Sequence, residues 1–200
     1  FYHPELRFRF TYPAGWQYQN QPTQVNMAPQ DGKALLVFTL AKQKSLQAAA
    51  DSTIAQLGLT LQSQKSISVN GLPAIATVAQ QVTKNQSTGT QTANMVLSYF
   101  IQMDKNFYVF HGVSTDADFP NYENSLESTM KSFARLTDAS KINVKPNKIT
   151  VKRVQRAGTL ADAFTYYGVK QDMRDELALL NDMALTDKVQ VGKLIKIVGQ

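Results

Sequence analysis

Two hundred residues with an apolar share of 43% and a charged share of 18% describe one or two globular domains and exclude a disordered chain. The lack of cysteine excludes disulfide staples, thiol nucleophiles and thiolate-bound metal, and no apolar run approaches the roughly 18 residues that span a bilayer. The net charge of +6 is lopsided: residues 1–140 carry 10 Lys/Arg against 9 Asp/Glu, and residues 141–200 carry 11 against 6.

The chain opens at Phe1 rather than Met, with strand-like residues at once and no signal peptide, so it reads as a processed piece of something longer. Residues 6–12 alternate, with Leu6, Phe8, Phe10 and Tyr12 on one face and Arg7, Arg9 and Thr11 on the other, which predicts a half-buried strand. Pro13-Ala14-Gly15 turns the chain into Trp16 and Tyr18. Val25 and Met27 mark a short strand, Asp31-Gly32 a hairpin turn, and 34–40 a more buried strand.

Ser45 caps a predicted helix carrying Leu46, Ala49, Ala50, Ile54 and Leu57, with Gly58 at its end. Strands follow at 60–69 and 74–83, joined by Asn70-Gly71, the clearest hairpin signal in the chain. The polar stretch 84–90 reads as a hairpin tip. Strands at 92–103 and 107–113 flank Asp104-Lys105-Asn106, and Asp118 or Pro120 opens a second helix with Tyr122, Leu126, Met130 and Phe133 on one stripe. Residues 1–137 therefore read as an α+β domain, an antiparallel sheet of about six or seven strands with two helices on one face. Residues 138–147, polar and containing Pro146, read as a linker, and residues 148–200 as a small β-α-α-β domain.

Chemistry-bearing patterns are scarce. His3 and His111 form no metal-ligand spacing, and His111 shares a strand face with Phe107 and Val109, which favours a packed or hydrogen-bonded histidine over a catalytic one. There is no nucleophile elbow, phosphate loop or dinucleotide fingerprint, so neither a catalytic residue nor a metal ligand is assigned. From Asp138 to Asp162 every charge between is positive, which suits an anionic partner or a solvated linker and exposed strand face. No aromatics interleave with these cations, which argues against nucleic acid.

The opening strand with Pro13-Ala14-Gly15-Trp16 resembles the start of PsbP-like domains, which serve as adaptors and binding modules. The tail, with Ala157-Gly158-Thr159-Leu160, then Asp162, Ala163 and Phe164, then Leu179-Leu180-Asn181 and Gly192, resembles the LysM module, a β-α-α-β unit that binds peptidoglycan and chitin. Thr159 and Asp162 suit a variant capping box, Gly168 a left-handed helix end, and Gly192 a tight turn. LysM modules usually carry Gly-Asp-Thr-Leu at the first turn; here Gly158 stands in place of the Asp. That resemblance implies a glycan or partner site at 156–160 and 182–190, with Arg156, Gly158, Thr159, Leu160, Asn181, Asp182, Met183 and Asp187 as its residues.

The two motifs together look like the region after the catalytic domain in exported zinc metallopeptidases of the family of the CAAX prenyl endopeptidase, HtpX and BepA. That resemblance implies a non-catalytic docking region, periplasmic or outer-membrane-associated in a bacterium. It implies peptidoglycan or an envelope protein as partner, no cofactor in this piece, and zinc in a domain upstream. The alternative is a purely structural protein-interaction module without glycan binding.

Overall fold

The structure, a computed structural model, describes residues 1–84, 91–144 and 148–199. Most of the polar stretch 84–90, and residues 145–147 of the expected linker, lie outside the described residues. The chain divides into two compact units, Phe1–Ile142 and Asn143–Gln200.

In the first unit the strands are β1 (Tyr2–His3), β2 (Phe8–Arg9), β3 (Gln17–Asn20), β4 (Gln24–Ala28), β5 (Ala34–Ala41), β6 (Thr60–Val69), β7 (Leu72–Lys84), β8 (Gln91–Met103), β9 (Asn106–Thr115) and β10 (Ala134–Arg135). Helix α1 (Leu46–Gln56) follows β5, α2 (Phe119–Lys131) follows β9, and the one-turn α3 (Ala139–Ile142) follows β10. A 7-stranded antiparallel sheet runs β3-β4-β5-β9-β8-β7-β6, and β1-β2-β10 form a separate 3-stranded sheet. The α+β class with an antiparallel sheet is as the sequence predicts.

Two local expectations change. The alternating segment 6–12 is not one strand: Arg7 has a left-handed φ of 52°, and only Phe8–Arg9 pair, with β1 on one side and β10 on the other. The burial pattern survives, because Phe8 and Phe10 are 1% and 2% exposed. The expected linker begins later than 138, since α3 belongs to the first unit and Lys141 sits 5.6 Å over the Tyr2 ring.

The two helices also lie on opposite faces of the sheet, not on one. Ala49 and Ala50 of α1 pack with Ile75, Phe100 and Val109. Leu126 and Met130 of α2 pack with Tyr99, Ile101, Tyr108 and Phe110, whose side chains alternate with that first set. The central strands are apolar on both faces, so each face needs its own cover. On the α2 side, Phe8, Phe10 and Phe133 complete the cover, with Phe8 and Tyr108 ring centroids 5.1 Å apart. Gly112 lets α2 approach closely: a Cβ there would lie 2.8 Å from a Leu126 methyl. The Asn70-Gly71 turn forms as expected, both residues at positive φ (49° and 81°), and the Asn70 amide also donates to the carbonyls of Lys131 and Phe133.

The second unit contains β11 (Lys148–Arg153), β12 (Gly158–Thr159), α4 (Leu160–Tyr166), a 3-10 turn (Gln171–Met173), α5 (Arg174–Leu180), β13 (Lys188–Val189) and β14 (Leu194–Gly199). β11 pairs with β14 and β12 with β13, both antiparallel. Val154, Leu160, Phe164, Leu177, Ile195 and Ile197 form its own core. Gly168, at φ 68°, ends α4 with the backbone bond from Val169 N–H to the Phe164 carbonyl.

Candidate functional site

His111 lies on the α1 face of the sheet, as its alternation with Phe107 and Val109 predicts. Its Nδ1 is 2.8 Å from the Ser98 hydroxyl, and its ring stands edge-on to Phe100 at 5.9 Å. Burial lowers its pKa from 6.5 to about 4, so the imidazole is neutral at physiological pH. Among the described residues, no group of three or more His, Cys, Asp and Glu could hold a metal, and no helix is long and apolar enough to cross a membrane.

A groove of about 600 Å³ opens on the other face, between α2 and the β6 edge of the sheet. Ile67, Val78 and Leu97 contribute to its apolar floor, and Lys65, Glu123 and Lys131 to its rim. The Tyr99 hydroxyl donates to Glu127 Oε1 at 2.9 Å, and Lys131 Nζ pairs with the same oxygen at 2.9 Å. Burial, then the Glu127 hydrogen bond, push the Tyr99 hydroxyl pKa up. The Lys131 bond holds Glu127 down, opposed by burial and aided by Tyr99. Sequence reading missed this groove, because α2 covers the central strands and leaves the β6 wing open. Its only local signals are the in-phase apolar residues Val78 and Leu97, which pair across β7 and β8.

In the second unit, the two loops expected to form a site are brought together. Gly158 pairs with Val189 and Thr159 with Lys188. The Leu160 and Ala161 N–H groups, which have no partner within α4, bond the Asp187 and Leu185 carbonyls at 2.9 and 3.0 Å. The Thr159 hydroxyl accepts from Asp162 N–H at 3.1 Å, and Asp162 Oδ2 accepts from Thr159 N–H at 2.9 Å and its hydroxyl at 2.7 Å. The two Thr159 bonds, backbone first, hold the Asp162 carboxyl below the usual range. A Cβ on Gly158 would lie 3.0 Å from that same Oδ2, so Asp162 occupies the space over the turn.

The remaining expected site residues are mostly tied into the fold. Leu160 is fully buried, and Met183 is partly buried against the small core. The Asn181 amide donates to the Leu177 and Lys196 carbonyls at 2.7 and 2.8 Å, and its oxygen accepts from Lys196 N–H at 2.7 Å. Asp182 stands at φ 54° just past α5, and Asp187 accepts from Ala184 N–H at 2.9 Å. Arg156 alone of this set lines a cleft of about 330 Å³ beside α4, where its guanidinium lies 5.6 Å from the Tyr166 ring. Tyr166, 54% exposed, is a further residue there that sequence reading did not single out.

No family model matches the sequence, and no curated protein does. Among solved structures, the chain is similar to the cyanobacterial PsbP (CyanoP) from Synechocystis sp. PCC 6803, with a TM-score of 0.50 and 10% identity over 68% of this chain and 90% of that one. It is also similar to the Ran-binding protein Mog1p of Saccharomyces cerevisiae, with a TM-score of 0.48 and 11% identity over 67% and 92%. At such identity the likeness concerns the fold and not the activity. The α+β unit, with its antiparallel sheet, has a PsbP-like fold.

Proposed function

We propose that this chain is a non-catalytic docking region of a larger exported bacterial protein, with a LysM-like tail that contacts peptidoglycan in the cell envelope. The observation that carries it is the lacing of residues 158–161 to residues 185–189, which joins the two loops between which LysM modules hold a glycan. The α+β unit serves as the protein-interaction half, contacting an envelope protein through the α2–β6 groove; an apolar floor under a charged rim has the make-up of a protein interface. The opening and tail motifs support an exported zinc metallopeptidase as parent, and an H-E-x-x-H helix encoded upstream of Phe1 is its test.

Pelleting with purified peptidoglycan tests the tail. The full chain is expected to co-sediment, and a chain lacking residues 148–200 is expected to stay in solution. No retention, or retention that survives the deletion, overturns the glycan reading.

Two observations favour the alternative of a protein-interaction module with no glycan contact. Asp162 fills the space over Gly158, and Asn181 spends both amide donors inside the fold. That reading predicts no co-sedimentation of the full chain with peptidoglycan.

A further inference from the structure

Strands β11 and β14 form a two-stranded ribbon with one face in the small core and the other largely uncovered. Ile195 and Ile197 fill the inner face, at 1% and 4% exposure. The register places Ile149 opposite Val198, Val151 opposite Lys196 and Arg153 opposite Leu194, so these six residues share the face away from Ile195 and Ile197, with Val198 half-buried at its end against the small core. Ile149, Val151 and Leu194 are 59%, 60% and 56% exposed there. Leu180 at the end of α5 extends the apolar area, held beside it by the bond from Lys196 Nζ to the Leu180 carbonyl at 3.1 Å.

Every charged residue on the two strands and on the turn into β14 is a cation: Lys148, Lys152, Arg153, Lys193 and Lys196. On the outward face the aliphatic side chains stand beside Arg153 and Lys196, with no anion on either strand, which matches a surface that is apolar at depth and anionic at its rim. We propose that the outward face of the β11–β14 ribbon docks on an anionic phospholipid bilayer. Ile149, Val151 and Leu194 enter the headgroup–acyl boundary, while Arg153 and Lys196 sit at the lipid phosphates. A polysaccharide is the weaker fit, because the ribbon carries no aromatic ring on which a sugar could stack. This contact goes beyond the peptidoglycan reading and uses a different face from the laced loops.

The test is co-sedimentation of the full chain with phosphatidylcholine vesicles, with and without phosphatidylglycerol. Partition into the anionic vesicles alone is expected, weakening as salt rises. The double variant Arg153→Glu/Lys196→Glu, which reverses the two cations of the outward face, is expected to lower the partition coefficient by at least about twenty-five-fold, at roughly five-fold per cation. Val151→Ser/Leu194→Ser is expected to lower it too, with an unchanged melting curve because both side chains are exposed. Equal partition into both vesicle types, no partition at all, or indifference to the charge reversal overturns the proposal. Co-sedimentation with purified peptidoglycan but not with vesicles, lost in the ribbon variants, also overturns it and assigns the face to the wall polymer. The Val151→Ser/Leu194→Ser chain, assayed on peptidoglycan, reports the laced-loop reading separately.

Discussion

The Ser98 hydroxyl lies 2.8 Å from Nδ1 of His111, on neighbouring strands in the middle of the sheet. The pair is held on an apolar face with Phe100, and burial keeps the imidazole neutral, its pKa lowered from 6.5 to about 4. Below pH 6.5 the unfolded chain takes up a proton that the folded chain refuses until about pH 4. Stability from this site is therefore complete above pH 6.5 and falls as pH drops towards 4, by about 3 kcal/mol. Urea unfolding of the wild type and of His111→Gln, from pH 7.5 down to about 4, checks it. The wild type should lose stability relative to the variant in that window, since the carboxylates common to both cancel. Parallel curves would show that the histidine titrates normally.

Gly112 and Leu126 give a second test. A Cβ at residue 112 would sit 2.8 and 2.9 Å from the Leu126 methyls and 3.1 Å from the Met130 terminal carbon. Two effects oppose each other. Alanine stiffens the unfolded chain and gains about 0.5–1 kcal/mol. Overpacking a closed core costs about 1–3 kcal/mol, and Leu126 and Met130 are both fully buried. The clash should win, so Gly112→Ala lowers stability, and Leu126→Ala in the same chain should show a favourable coupling with it. Thermal melts of the four chains of that cycle measure it. Additive losses would mean that α2 shifts freely away from the sheet.

Asn181 joins α5 to the edge of β14, because its amide takes the place of a neighbouring strand against Lys196. Asn181→Ala leaves the Lys196 N–H and carbonyl without these partners. The expected loss is about 2 kcal/mol, read from the melting of the chain. Asn181→Asp keeps the acceptor for Lys196 N–H and loses both donors, so it should fall between the two. If Asn181 instead served a ligand alone, both variants would melt like the wild type.

How much of this was readable beforehand depends on whether the cause is local. Ser45 caps α1 through Ala48 N–H, Thr159 and Asp162 form the capping box, and Asn70-Gly71 turns the hairpin. In each case the side chain or the φ requirement acts within a few residues, so the sequence shows it. The helices on opposite faces were not readable in the same way. Strands β8 and β9 are apolar in both phases of the alternation, so the period-2 pattern does not say which face is the core. The break at Arg7 was hidden for a related reason: burial of Phe8 and Phe10 preserves the alternation while the backbone between Leu6 and Phe8 leaves the strand. The α2–β6 groove and the pairing of Tyr99 with Glu127 arise only once α2 settles over the centre of the sheet. In the tail, 156–160 and 182–190 were named through a family resemblance, and the lacing between them is a tertiary fact.

Asp182 carries the last prediction. It follows Asn181 at φ 54°, with Asp182 N–H bonded to the Leu179 carbonyl at 2.9 Å and Met183 N–H to the Ala178 carbonyl at 3.1 Å. That is the Schellman closure of a helix, where glycine is the usual residue because a side chain in the left-handed region costs about 1 kcal/mol. Gly168 fills the equivalent place after α4. Asp182→Gly should therefore raise the stability of the tail by up to about 1 kcal/mol, seen as a higher melting temperature. Strain retained in one of two matched helix ends is a cost without a packing return, and such positions are where function concentrates. The same variant, pelleted with purified peptidoglycan, separates the two explanations. A more stable chain with weaker retention places Asp182 in the glycan contact. A more stable chain with unchanged retention removes it from that contact, and a less stable one means that the aspartate carboxylate holds the turn.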